Sequence, residues 1–110
     1  MSIAQSILRE FEEQAPITRR FLGRLPEDRL TWKPHERSLS AGQLAFHIAF
    51  VPGGVVRLAQ NSPKQATDFI FPQPASRKEI LKTFEESVAT VRSVLHEYDD
   101  KKMQEIWRLV

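Results

Sequence analysis

Three histidines offer this chain its widest chemical reach, and their settings differ. His35 lies in a proline-flanked stretch beside Lys33 and Glu36, which suits a surface side chain. His96 falls roughly 120° from the nearest apolar stripe at about 100° per residue, near a helix end where a cationic ring complements the dipole. His47 is different, because it follows Leu44 and precedes Val51 on the flank of a stripe that reads as buried. A titratable ring placed there costs free energy unless it finds a partner. Two readings of His47 stay open: a core histidine satisfied by a hydrogen bond, and a metal ligand. A transition-metal site needs at least three donors, and no second histidine stands three or four residues away on the same segment. Spacing does not place Glu79, Glu85 or Glu86 beside it.

Other chemistries are excluded more simply. The chain has no cysteine, so disulfides, thiolate metal sites and a cysteine nucleophile are ruled out. No nucleophile elbow, phosphate-cradling glycine loop or paired-carboxylate motif is present. Gly53-Gly54 lies inside a helical pattern and reads as a close-packing or kink site. Trp32 and Trp107 are accounted for by core packing.

The elements that must position these residues are helices. Ser2 to Arg24 carries Ile3, Ile7, Leu8, Phe11, Phe21 and Leu22, with Leu25 just beyond, at mostly helical spacing. Pro16 inside it predicts a kink or short break near Gln14-Ala15. Leu25-Pro26 to Pro34-His35 reads as a loop. Ser40-Ala41-Gly42-Gln43 fits a capping box that starts a second helix. Leu44, Ile48, Val51, Val55 and Leu58 then make one stripe predicted to be buried. Pro52-Gly53-Gly54 predicts a kink, and Asn61-Ser62-Pro63 an end. Lys64 to Ala75 is a long connection, in which Asp68-Phe69-Ile70-Phe71-Pro72 is expected to fold over the core. Ser76-Arg77-Lys78-Glu79 is a second capping box, and Ile80, Leu81, Phe84, Val88, Val91, Leu95 and Tyr98 keep helical spacing behind it. Asp99-Asp100 closes that helix. Met103, Ile106, Trp107 and Val110 match a helix over too short a span to assign.

The result is one all-α domain over residues 1–110: an up-down bundle of three long helices. The chain stops on Leu109-Val110 with no polar finish, from which a missing fourth helix is expected. Composition agrees with a packed core, with 41% hydrophobic and 27% charged residues and a net charge of +2. No apolar run approaches the ~20 residues of a membrane span, and the N-terminus lacks a secretion signal. Neither a membrane nor a nucleic acid is an expected partner. Arg19, Arg20, Arg24, Arg29, Lys33 and Arg37 are interleaved with Glu27, Asp28 and Glu36, which reads as a solvated face. The cytoplasm is the expected location because nothing points elsewhere.

The run from Phe21 to Ser38, FLGRLPEDRLTWKPHERS, resembles the loop after the first helix of the DinB-like (DinB/YfiT-type) family. Leu39 to Ala49, LSAGQLAFHIA, is similar to that family's second helix with its inward histidine. Asp68-Phe69 and the Ser76–Asp100 helix extend the likeness over nearly the whole chain. The resemblance implies a four-helix bundle that binds a divalent metal, often nickel or zinc, through three histidines. One matches His47; the other two belong to a fourth helix beyond this sequence. It also implies homodimers and, in some members, transfer of low-molecular-weight thiols to electrophiles. Without the fourth helix, a lone His47 is not expected to hold a metal. The alternative expectation is a non-catalytic helical module that works through dimerisation.

Overall fold

The computed structural model describes residues 2–60 and 71–105. They form α1 (Ile3–Gly23), a 3-10 turn (Glu27–Arg29), α2 (Ala41–Gln60), α3 (Arg77–Glu97) and the short α4 (Asp100–Met103), with no strand among the described residues. The all-α class and the three long helices match expectation. Asn61 to Ile70 and Ile106 to Val110 lie outside the described residues, so Asp68-Phe69-Ile70 and Trp107 do too.

Side chains start each long helix. Ser2 Oγ accepts from the Gln5 amide while the Gln5 side chain accepts from the Ser2 amide, a reciprocal cap that apolar spacing does not signal. The predicted Ser40–Gln43 box is present, at 3.0 and 2.9 Å. Two further donors at the start of α2 are met by the preceding loop: Ala41 N–H bonds the Trp32 carbonyl and Gly42 N–H the Leu30 carbonyl. Gly42 has to be glycine for that approach, since a Cβ would stand 2.7 Å from the Leu30 oxygen. The Ser76–Glu79 box is half formed. Ser76 Oγ caps the Glu79 amide, but the Glu79 carboxylate reaches past Ser76 to the Ala75 amide.

α1 is one continuous helix through Pro16, so the short break expected near Gln14-Ala15 is absent. Proline costs it one backbone donor, yet Ala4, Ala15 and Leu22 bury one continuous face. α3 is the centre of the fold. It packs along both α1 and α2, while α1 and α2 do not pack along each other. The ion pairs Glu12–Arg92 and Arg19–Glu85 run α1 antiparallel to α3. Contacts from Ser40–Gln73 through Gly53–Ser87 to Val56 beside Val91 run α2 parallel to α3. The three directions are therefore up, down, down, and α3 starts at the end where α2 starts.

The stripe expected from α3 is the core: Ile80, Phe84, Val88, Val91 and Leu95 are buried. Tyr98 caps its C-terminus, and Asp99, expected to close α3, instead caps α4. The stripes expected from α1 and α2 are corrected. α2 buries its small residues, Gly42, Ala45, Ala49 and Gly53; Leu44 and Val55 are more than half exposed, and Ile48 is exposed too. The reason is proximity. Gly53 N–H donates to Ser87 Oγ at 2.5 Å, and a Cβ on Gly53 would lie 2.9 Å from the Ser87 Cα. Helix axes this close admit only small side chains between them. On α1, Ile3, Ile7, Ile17 and Phe21 are likewise uncovered, and Trp32, expected in the core, is 54% exposed.

α2 also corrects the membrane-length reading. It is a 20-residue helix, long and apolar enough by length and composition to cross a membrane: its most apolar 18-residue window has a mean hydropathy of 1.2, and 22% of that window is buried. The run is easy to miss because Gln43, His47 and Arg57 interrupt it.

Candidate functional site

His47 is exposed. It does not project between packed helices, because the face of α2 that meets α3 is the small-residue face and His47 lies well round the helix from it. Its ring instead sits against Phe71, centroids 5.1 Å apart and tilted by 43°. Gln43 sets this contact. Its side-chain oxygen completes the α2 cap, and its nitrogen donates to the Phe71 carbonyl at 3.1 Å, drawing Phe71-Pro72 onto α2.

The outcome is a cleft of about 220 Å³ lined by Gln43, Phe46, His47, Phe50, Phe71 and Pro72. Phe46 and Phe50 stack along one wall, 6.2 Å apart and within 9° of parallel. Helical spacing carries the signal for Gln43, Phe46, His47 and Phe50, which recur at three and four residues. Phe71 could not be assigned this way, because the side-chain bond that docks it joins residues far apart in sequence. Phe71 was expected to fold over the core; it lies instead against His47 and is half exposed.

His35 and His96 are exposed, as expected, and neither lines the cleft beside His47. His35 Nδ1 accepts from the Arg37 amide within its own turn. No group of three or more His, Cys, Asp or Glu that could hold a metal exists among the described residues. The carboxylates considered alongside His47 are engaged elsewhere or stand alone: Glu79 caps α3, Glu85 binds Arg19, and Glu86 is exposed. The donors described here do not fit the divalent metal that the resemblance implies.

The sharpest electrostatics are on α1 and α3. The Arg92 hydrogen bonds hold the Glu12 carboxyl below its ordinary range, and Glu12 in turn raises Arg92. The Glu85 hydrogen bond raises Arg19, whose guanidinium also lies over the Phe84 ring at 5.7 Å. These groups set the register of two helices and do not line the cleft beside His47.

A three-long-helix fold with this capped second helix is the setting in which the family comparison falls. The DinB superfamily model matches residues 10–108, and the chain belongs to that superfamily. No curated protein and no solved structure matches it.

Proposed function

We propose that this chain is a helical interaction module of the DinB superfamily, acting through the apolar faces that its own fold leaves uncovered. The observation that carries this is the pair of large-residue stripes outside the core: Ile3, Ile7, Ile17 and Phe21 on α1, and Leu44, Ile48 and Val55 on α2. The large exposed residues of each stripe share one side of their helix, and extended apolar surface of this kind marks a binding face. Light scattering of the protein at micromolar concentration is expected to give a mass above that of one chain. A strictly monomeric protein would remove this reading.

A metal-dependent enzyme, and thiol transfer within it, is a second reading, favoured by the place of His47 at the cleft. It requires donors beyond the described residues, so no chemical step is derived from it. Purified full-length protein carrying no nickel, zinc or iron by elemental analysis would count against it.

A further inference from the structure

We infer that the end of the bundle where α1 stops is a docking surface for a membrane bearing anionic phospholipid. This goes beyond the module reading, since the partner is a lipid surface and no self-association is needed. At its centre is a groove of about 300 Å³ lined by Ile17, Arg20, Phe21 and Arg24. At about 100° per residue, Ile17, Phe21 and Arg24 fall on one side of α1, with Arg20 at its edge. Phe21 is 62% exposed, and Ile17 is exposed beside it. Both guanidiniums are exposed, and neither forms an ion pair among the described residues.

The loop that follows repeats this pairing of aromatic and cation. Trp32 is exposed next to Lys33, and its amide bonds the carbonyl of Arg29, which is exposed in turn. Spacing alone reads the run from Arg19 to Arg37 as a solvated face. The structure adds that its two aromatics stay out of the core, where Leu22 and Leu30 are buried instead. Tryptophan is highly buried on average, and the boundary between water and lipid is where an uncovered one sits most favourably.

Charge is segregated in the same sense. At this end Arg20, Arg24, Arg29, Lys33 and Arg37 outnumber Asp28 and Glu36, since Glu27 is taken by Arg77. At the far end, where Asp100 holds the start of α1, Glu97, Asp99, Asp100 and Glu105 outnumber Lys101 and Lys102. The field of an anionic leaflet turns the positive end toward it. Arginines set among apolar residues suit that partner, because their stems lie along acyl chains while the guanidiniums reach phosphate. A nucleic acid would use the same cations, but Ile17 offers no face on which a base could stack.

Co-sedimentation with vesicles tests the surface. The chain should bind vesicles of phosphatidylglycerol and phosphatidylcholine in equal parts. It should bind neutral phosphatidylcholine at least about tenfold more weakly, and high salt should release it from the mixed vesicles. Arg20→Glu/Arg24→Glu should weaken binding more than about twentyfold, by the loss of two cations near the leaflet. Lys101→Glu/Lys102→Glu makes the same change in net charge at the far end and should weaken it no more than about threefold. Phe21→Ser should weaken it about tenfold, through the apolar burial lost. With Trp107→Phe leaving Trp32 as the one tryptophan, emission should shift to the blue on binding. The positions altered at the docking end are exposed, and circular dichroism checks that the helices persist. No binding to the mixed vesicles, equal binding to neutral ones, equal losses from the two ends, or an unshifted Trp32 emission would each overturn the surface. So would a mixed-sequence oligonucleotide that binds more tightly than the vesicles do. A chain that self-associates but does not bind vesicles keeps the module reading and loses this one; a vesicle-bound monomer does the reverse.

Discussion

Two faces of α2 differ in a way opposite to simple hydrophobic patterning. The face against α3 holds Gly42, Ala45, Ala49 and Gly53; the face away from it holds Leu44, Ile48 and Val55. The buried side gains stability from close backbone approach, including a hydrogen bond from Gly53 to Ser87, and from the large residues that α3 itself supplies, above all Phe84. The far side gains less from burial, since Leu44, Ile48 and Val55 keep between 37% and 53% of their surface exposed. Small residues thus mark the contact with α3, while the larger ones stay on the surface.

The comparison breaks first at the α3 side. Phe84→Ala should cost about 3–5 kcal/mol by denaturant titration, the range for a fully buried aromatic truncated to a cavity. Gly53→Val should cost about 1–3 kcal/mol, because its Cβ would meet backbone and side chain of Ser87 inside van der Waals distance. Next comes the cap: Ser40→Ala removes the oxygen that bonds the Gln43 amide and Gln73, and about 1 kcal/mol is expected.

The far side sharpens the contrast. Val55→Gln, at a position 53% exposed, should shift stability by no more than about 0.5 kcal/mol, as surface positions do, while weakening self-association measured by sedimentation. A loss of several kcal/mol in the isolated chain would mean that this face is covered after all. The smallest effect concerns pH. Glu12 has a folded-state affinity for protons below that of the unfolded chain, so its contribution is present above the ordinary carboxylate range, about pH 4, and is lost as pH falls further. Melting curves of Glu12→Gln should accordingly be less sensitive to acid than those of the parent chain.

Helix existence was legible from local signals: the Ser40–Gln43 cap, the Ser76 cap, and the regular spacing from Ile80 to Leu95 all occur within a few residues of one another. The α3 stripe was also assigned to the right side, because α3 has one apolar face and its other faces are charged. α2 defeated the same reasoning. With apolar residues all round, its period does not say which face turns inward, and the choice of the larger side chains was the wrong one. The candidate site was legible only as His47 and its helix neighbours; Phe71 arrived by a long-range hydrogen bond.

What the sequence determined alone, then, was the helical content, the caps, the absence of cysteine chemistry and the single residue His47 on α2. Tertiary structure decided the directions up, down, down, the small-residue contact of α2 with α3, and the exposure of His47 beside Phe71. The physical reason is range. Capping and periodicity are satisfied within one or two turns, whereas the packing face of an all-apolar helix is set by whichever neighbour can come closest.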